Sequence, residues 1–151
     1  MELVFEPQLL PPLVDGELEL HLVERTLGDP VRRYVPAYRW EIRVGGVRAG
    51  NISLRLGDNE YLQMYAGHIG YGVEPELRGH HYASRACKLV FGVARDHGFK
   101  VVWITCNPEN VASRRTCELA GGQLIDIVDL PPESDMYKEG ERQKCRYRFV
   151  L

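Results

Sequence analysis

One stretch of glycine, histidine and arginine residues is better suited to chemistry than the rest of the sequence. It reads Gly72-Val73-Glu74-Pro75-Glu76-Leu77-Arg78-Gly79-His80-His81-Tyr82-Ala83-Ser84 and lies between an expected strand and an expected helix. A turn at such a place points backbone N–H groups outward, and the helix dipole adds positive potential. Gly79 permits a positive φ, and Ala83 leaves room for a ligand. The pattern predicts a loop that holds phosphate oxygens.

This loop resembles motif A of the GNAT superfamily, the acyl-CoA-dependent N-acyltransferases, because it reads V-x-P-x-x-R-G-x-x-x-A from Val73 to Ala83. A second segment, Asn110-Val111-Ala112-Ser113 followed by Gly121-Gly122, is similar to the family's N-x-x-[AS]…G-[FG] segment. Together the matches run from Gly67 to about Ile127, and the part before them agrees only in outline. The resemblance implies an acetyltransferase that moves an acetyl group from acetyl-CoA to a primary amine by direct attack in a ternary complex.

The resemblance also implies how coenzyme A would be held. The backbone N–H groups of the loop and the first helical turn would bind its pyrophosphate; these residues are Arg78, Gly79, His80, His81, Tyr82, Ala83 and Ser84. The edge of a strand at Val73 would bind the pantetheine amides, and Asn110 would lie near the pantetheine arm. The thioester would enter a gap between two strands that splay apart, His68 to Val73 and Lys100 to Thr105.

The sequence departs from the family pattern at two positions. His81 stands where the loop usually has its second glycine, so either this position needs no positive φ or the loop is adjusted. Cys117 stands where many members have a tyrosine that is thought to protonate the departing thiolate. A thiol with a pKa near 8.5 could donate a proton, but a cysteine on a helix is more often a small core residue. Water is the remaining proton donor.

Attack on a thioester requires a neutral amine, so a general base would help a lysine-like acceptor more than an α-amine. His68 is our candidate base because it leads into the loop and imidazole titrates near neutral pH. A histidine hydrogen-bonded within the sheet is an equally favoured alternative. Glu74 and Glu76 are rival carboxylates, although both are more typical of solvated turn residues.

Other groups could serve the loop or the acceptor. Adjacent histidines rarely aim at one point, so His80 and His81 predict no metal site and could instead contact phosphate together with Arg78 and Arg85. Tyrosines and a methionine could line an acceptor pocket, namely Tyr61, Tyr65, Tyr71 and the pair Met136-Tyr137. The polar stretch from Pro131 to Gln143 has acidic groups that could meet a cationic acceptor, but a plain surface loop is the simpler interpretation.

Hydrophobic periodicity predicts the elements that position these residues. Strands are expected over Leu18 to Val23, Tyr38 to Val44, Val47 to Leu56, Tyr61 to Ala66, His68 to Val73, Lys100 to Thr105, Gln123 to Val128 and Cys145 to Leu151. A helix begins after Tyr82 and ends at a Gly98 cap, and Asn110 caps a second helix that runs through Ala120. Asp29-Pro30 predicts a short helix to Val35. The fold class is therefore α/β (α+β), a GNAT-like mixed, mainly antiparallel twisted sheet of six to seven strands with a parallel strand-helix-strand crossover and flanking helices.

Composition and charge predict the number of domains, the kinds of partner and the location of the protein. The 151 residues carry 44% hydrophobic and 26% charged residues with a net charge of -2, which predicts one globular domain over residues 1–151 and no nucleic-acid partner. No apolar run approaches a membrane span, and no signal-peptide pattern begins the chain. The four cysteines show no metal or disulfide spacing, which predicts free thiols and a cytoplasmic location. A homodimer, a non-catalytic acyl-CoA-binding or regulatory module, and an acetyltransferase of protein N-termini resembling ribosomal-protein acetyltransferases stay open as alternatives.

Overall fold

Two antiparallel sheets form the scaffold in the computed structural model, which describes residues 3–32 and 34–151. The first sheet has the strand order β1-β2-β3-β4-β5 and the second the order β6-β8-β7. The strands are β1 (Leu13–Asp15), β2 (Leu18–Thr26), β3 (Ala37–Val44), β4 (Val47–Arg55), β5 (Ile69–Val73), β6 (Val101–Cys106), β7 (Gln123–Asp129) and β8 (Gln143–Val150). The helices are α1 (Tyr82–Asp96), α2 (Val111–Leu119) and α3 (Asp135–Lys138), with a π-helical turn at Leu62–Ala66 and a 3-10 turn at Pro75–Leu77.

Helix α1 covers one face of the first sheet. Its buried side chains, among them Ala86, Val90 and Ala94, recur at the spacing of one helix face. They belong to the same core as the alternate inward residues of the strands, such as Trp40 and Ile52. This core continues into the second sheet through buried side chains of β6 and β8, which are Val102, Ile104, Cys106, Cys145, Tyr147 and Phe149. Burial of this shared apolar surface fixes α1, and therefore its N-terminus, relative to both sheets.

A gap separates the two sheets beside β5. They meet just before β5, where the His68 N–H donates to the Trp103 carbonyl at 2.7 Å and the Trp103 N–H donates to His68 Nδ1 at 2.9 Å. Beyond that point β5 pairs with β4 alone, and no described strand pairs with its other edge. Half of the backbone groups of β5 therefore face the gap rather than a neighbouring strand.

The predicted fold class is confirmed, with differences in detail. There are eight strands rather than six to seven, because the short β1 adds to the first sheet. Every strand pair described is antiparallel, since β5 and β6, the neighbours joined through α1, splay apart instead of pairing. Asn110 caps α2 as predicted: its Oδ1 accepts a hydrogen bond from the Ser113 N–H at 3.1 Å. None of the described helices combines the length and apolar character that crossing a bilayer requires.

Two predicted elements are wrong. The strand expected over Tyr61 to Ala66 is the π-helical turn, because the Asn59 side chain accepts a hydrogen bond from the Leu62 N–H and nucleates a helical conformation. The short helix expected after Asp29 is a tight reversal, in which Asp29 and Tyr34 exchange backbone hydrogen bonds and the Asp29 carboxylate accepts from the Val31 N–H. That prediction also includes residue 33, which lies outside the described residues.

Candidate active site

The loop between β5 and α1 presents unpaired backbone donors. Among the described residues, none accepts a hydrogen bond from the backbone N–H groups of residues 79–84. The N-cap residue, His81, makes no side-chain cap, and the Ser84 hydroxyl donates to the His81 carbonyl instead of accepting from an N–H. The first turn of α1 therefore keeps its orphan N–H groups and its positive dipole end free for an anion.

A cleft of about 410 Å³ opens beside this loop and reaches the gap along β5. Its walls come from the end of β5, the loop, the first turn of α1 and one face of α2. They include most of the residues that the sequence predicts to hold coenzyme A, namely Val73, Arg78, Gly79, His81, Tyr82, Ala83 and Asn110. A narrow cleft with uncapped N–H groups at one end and a half-unpaired strand at the other fits a long thioester that carries a diphosphate.

Three of the predicted phosphate contacts, His80, Ser84 and Arg85, lie outside the cleft walls. His80 is exposed and stacks its ring on Tyr82 at a centroid distance of 5.3 Å. Ser84 is buried behind the first turn, so only its backbone N–H remains a candidate donor. Arg85 forms two ion pairs: its Nη1 lies 2.7 Å from Glu17 Oε1 and its Nε lies 2.8 Å from Asp15 Oδ2. Hydrogen bonds to Glu17 and Asp15 raise the pKa of its guanidinium. Arg78 lines the cleft while its Nε donates to the Val73 carbonyl at 3.0 Å.

His81, which stands where the family motif has its second glycine, adopts a left-handed conformation. Its φ is 63°, and it is the one described residue other than glycine with a positive φ. This position therefore does take a positive φ, which residues other than Gly, Asn, Asp and His rarely adopt.

We expect His81→Gly to raise the free energy of unfolding by about 1 kcal/mol, because glycine removes the Cβ strain of the left-handed conformation. Binding of acetyl-CoA should stay within about threefold, since the backbone N–H groups are retained. Urea unfolding and calorimetry measure the two effects. Gly79→Ala is the matched opposite, because Gly79 has φ 89°, and should lower stability. A destabilised His81→Gly variant would contradict this account.

A tyrosine from β5 reaches α2 inside the cleft. The Tyr71 hydroxyl lies 2.8 Å from Ser113 Oγ and 3.8 Å from Cys117 Sγ, and Tyr71 and Ser113 both line the cleft. Burial raises the pKa of Tyr71 above its ordinary value and raises the pKa of Cys117 to about 12. Cys117 is fully buried and is not part of the cleft wall, so it occupies the core position that sequence analysis preferred over a proton donor.

His68 lies away from the cleft. Its side chain is fully buried, its ring packs edge-on against Phe99, and both nitrogens have partners. Nδ1 accepts from the Trp103 N–H at 2.9 Å, and Nε2 lies 3.1 Å from the Gly57 carbonyl. Burial lowers the pKa of His68, and the nearby Asp58 opposes that shift only partly. The geometry corresponds to the alternative of a histidine bonded within the sheet, and His68 is not among the residues that line the cleft.

We expect the free energy of unfolding to fall as the pH drops below 6.5, the ordinary pKa of a histidine such as His68. The unfolded state binds a proton there while buried His68 stays neutral, so the unfolded state binds more protons and stability rises with pH through this window. Urea unfolding between about pH 5 and 8 measures the slope. His68→Gln should flatten it and leave the pH profile of catalysis unchanged; an unchanged slope in the variant would argue against the assignment.

Sequence reasoning missed the contact between Tyr71 and Ser113 in the cleft wall. Tyr71 was expected only as a pocket wall, and Ser113 only as part of a motif. A usable signal was present, because Tyr71 and Val73 share a face of one strand by alternation. Tyr61 and Tyr65 lie apart from this pair and pack on each other at a centroid distance of 5.8 Å. Among the residues described, no cluster of three or more His, Cys, Asp and Glu side chains could hold a metal ion.

Comparison with known proteins agrees with this geometry. The sequence profile of the acetyltransferase (GNAT) domain matches residues 19–123, well over half of the chain. The chain therefore belongs to the GNAT acetyltransferase family. This confirms the predicted family and enzyme class. A search among curated proteins gave no match.

Solved structures share the fold at low identity. RimL, a ribosomal L7/L12 alpha-N-protein acetyltransferase in complex with coenzyme A, has a TM-score of 0.69 and 14% identity over 93% of this chain and 98% of its own. MccE, a microcin C7 self-immunity acetyltransferase in complex with acetyl-CoA and AMP, has a TM-score of 0.61 and 20% identity over 76% of this chain. RimJ from Mycobacterium smegmatis, in complex with CoA-disulfide, has a TM-score of 0.61 and 19% identity over 76% of this chain. This chain spans 61% of the MccE chain and 53% of the RimJ chain.

Proposed function

We propose that this protein binds acetyl-CoA in the cleft between the β5–α1 loop and α2 and transfers the acetyl group directly to the amine of an acceptor. The observation that carries the proposal is the uncapped N-terminus of α1, whose free N–H groups open into the cleft. The pyrophosphate would accept from the N–H groups of residues 79–84. The pantetheine arm would lie along Val73 and Asn110, beside backbone groups of β5 that have no strand partner.

Direct attack in a ternary complex is favoured over a covalent acyl-enzyme. The nearest thiol, Cys117, is buried outside the cleft wall, and its raised pKa keeps it protonated at neutral pH. No other nucleophile with a partner base lines the cleft among the described residues. The amine nitrogen would form the new bond to the acetyl carbon as the bond from that carbon to sulfur breaks, and the amine proton would pass to water. A backbone N–H near Val73 remains our candidate donor to the developing oxyanion.

Tyr71 supplies the proton for the departing thiolate in this proposal, and the phenolate that remains takes a proton back from water. Its raised pKa keeps the phenol protonated across the neutral range, and Ser113 orients the hydroxyl. A thiolate buried in the same surroundings would also be a stronger base than in water, since burial raises the pKa of neighbouring Cys117 to about 12. The phenol from β5 thus stands in for the tyrosine that this chain lacks at Cys117, which weakens the alternative of a non-catalytic acyl-CoA-binding module.

The acceptor amine would enter uncharged, because His81, the one histidine among the described residues that line the cleft, belongs to the loop proposed for the diphosphate, and His68 is enclosed elsewhere. An α-amine with a pKa near 8 loses its proton at a cost of about 1 kcal/mol at neutral pH, against roughly 4 for a lysine-like amine. This favours α-amines, including the N-terminus of a peptide. A protein N-terminal acetyltransferase is therefore the second candidate, also suggested by the likeness to RimL along nearly its whole length.

Calorimetric titration with acetyl-CoA and coenzyme A tests the first half of the proposal, and release of free thiol in the presence of amine acceptors tests the second. Binding in the micromolar range and thiol release above the blank are expected. No binding at hundreds of micromolar would end the proposal. Tight binding without turnover across amines, amino acids and peptides would favour the non-catalytic module.

Three further points remain proposals. Residues 1–151 form one domain, which the core shared by both sheets supports. The protein is cytoplasmic, which the four buried free thiols support. It works without nucleic acid, and homodimerisation is testable by light scattering.

A further inference from the structure

The face of β5 opposite α1 carries almost no side chains. Gly70 and Gly72 alternate with Ile69, Tyr71 and Val73, so this face carries no side chain next to the gap. Their partners on β4 are Ser53 and Asn51. The two glycines therefore form the floor of a trough, which we call the β5 trough, with polar side chains of β4 along one side.

The Arg55 guanidinium lies close to Gly70 in the β5 trough. A Cβ placed on Gly70 would lie 3.5 Å from Arg55 Nη2, 3.8 Å from Arg55 Nη1 and 3.5 Å from Ser53 Oγ. The guanidinium and the hydroxyl thus converge on the space that Gly70 leaves open. At about 3.3 Å per residue, Gly70 lies one residue from Tyr71 and about 10 Å from Val73 along the strand. A small molecule bound at Arg55 could therefore reach the gap where the thioester would lie.

The charge of Arg55 lacks an ionic partner. Nη1 donates to the carbonyls of Ala66 and Gly67 at 3.3 and 3.0 Å, while Nη2 and Nε donate to no acceptor in the described chain. No described carboxylate comes within 4.0 Å, whereas neighbouring arginines on the same sheet are paired, Arg39 with Glu24 and Arg43 with Glu41. Burial lowers the pKa of Arg55, which reflects the cost of removing an uncompensated charge from water. The Arg55 guanidinium therefore has both an uncompensated positive charge and unused N–H donors, which suit it to bind an anion.

Groups of both charges act on Tyr61, whose ring packs against Tyr65. Burial raises the pKa of the Tyr61 phenol, the carboxylates of Asp135, Glu139 and Glu141 raise it further, and Arg55 lowers it, so the acidic loop and the guanidinium both lie near this side chain. A molecule in this region meets positive potential over Gly70 and negative potential toward the loop. That separation of charge complements an acceptor that carries both an amine and an anionic group.

We propose that Arg55 and Ser53 bind a carboxylate of the amine acceptor over Gly70, so that the acceptor is an amino acid or a peptide with a carboxylate close to its α-amine. This inference rests on the proposed function and names its substrate class. Arg55 is a binding residue here: its free N–H groups hold the carboxylate, and the trough aligns the amine with the gap.

The test compares acceptors with and without the carboxylate. Initial rates of thiol release from acetyl-CoA are measured with alanine against alaninamide, and with the C-terminally amidated dipeptides Ser-Asp against Ser-Asn. Each rate is expressed per unprotonated amine, because the amine of free alanine has a higher pKa than that of alaninamide. The wild type should prefer the carboxylate of each pair. Arg55→Gln should lower kcat/KM for the carboxylate acceptors by at least about tenfold, through KM, and leave the amides within about twofold. Arg39→Gln is the matched control, because Arg39 lies opposite Ser53 but is paired with an exposed Glu24.

Three results would overturn the inference: no preference in the wild type, equal losses for both members of each pair, or the same selectivity change in Arg39→Gln. Equal losses would mean that Arg55 only stabilises the chain at Ala66 and Gly67. If no acceptor is acetylated, alanine and Ser-Asp are titrated into the protein saturated with coenzyme A. Binding that Arg55→Gln abolishes supports the inference, and absence of binding rejects it while the cofactor site stands. If acetyl-CoA itself does not bind, the proposed function fails and this inference fails with it.

Discussion

Ala83→Asp should abolish acetyl-CoA binding, raising Kd at least about a hundredfold, while leaving the fold as stable as before. Ala83 lies in the first turn of α1 and lines the cleft, next to N–H groups that have no acceptor. A carboxylate there would repel a diphosphate and compete for the same donors. The same charge is favourable for a helix N-terminus by a few tenths of a kcal/mol, so the variant separates loss of binding from loss of structure.

Calorimetry with coenzyme A and urea unfolding of the same preparation measure the two quantities. Ala83→Asn is the control, because it adds nearly the same volume without the charge and should weaken binding by less than about tenfold. The loss in Ala83→Asp should also shrink at high salt, since it is electrostatic. An Ala83→Asp protein that binds coenzyme A within about threefold of the wild type would rule out the α1 N-terminus as the diphosphate site.

Local signals in the sequence were enough to predict the helices that flank the candidate cleft and their ends. The helix period of α1, the Gly98 end and the Asn110 cap are each set by residues within a few positions of one another, and the structure contains all three. The splayed strands followed from the family resemblance rather than from any residue pattern, and they too are present. The left-handed conformation of His81 could not be predicted, because histidine gives no local sign that it will adopt a glycine conformation.

Contacts between distant segments limited the prediction of the site. Tyr71 and Ser113 are 42 residues apart, and their contact depends on how α2 packs beside β5. His68 is enclosed because Phe99, Trp103 and Gly57 surround it, and none of these contacts has a sequence pattern of its own. Arg55 resembles any other strand arginine in the sequence, and only the fold places it with no carboxylate of the described residues within 4.0 Å. A strand was predicted where the structure has the π-helical turn at Leu62–Ala66. The sequence alone could not distinguish them, because a short apolar run is compatible with both helix and strand periodicity.

These contacts change which residues are expected to carry the reaction. In place of the candidate pair His68 and Cys117, the geometry favours a phenol and a hydroxyl in the cleft. The one histidine of the cleft wall in the described chain, His81, lies in the loop proposed for the diphosphate, so the acceptor would have to lose its proton before it binds. That is consistent with an α-amine acceptor, whose carboxylate would lie at Arg55, so the position of His81 and the unpaired arginine lead to the same substrate class.

Tyr71→Phe should lower kcat by about a hundredfold, in the range of a lost general acid, and leave the Kd for acetyl-CoA nearly unchanged. The substitution removes one oxygen, keeps the ring in its packing and leaves Ser113 to hydrogen-bond water, so the fold should tolerate it. Cys117→Ala should keep kcat within a few-fold despite some loss of stability, because its thiol is buried outside the cleft wall. Ser113→Ala should fall between the two, since it only orients the phenol.

Pre-steady-state release of thiol, measured alongside calorimetric Kd values, tests this order. The decisive comparison uses an acyl donor whose leaving thiol has a low pKa: such a thiolate needs no proton, so Tyr71→Phe should recover most of its activity with it, while a variant damaged in binding would not. If Cys117→Ala were instead the slower enzyme, the thiol would be the proton donor. If neither substitution mattered, water would protonate the thiolate, and the Tyr71–Ser113 hydrogen bond would serve only to tie β5 to α2.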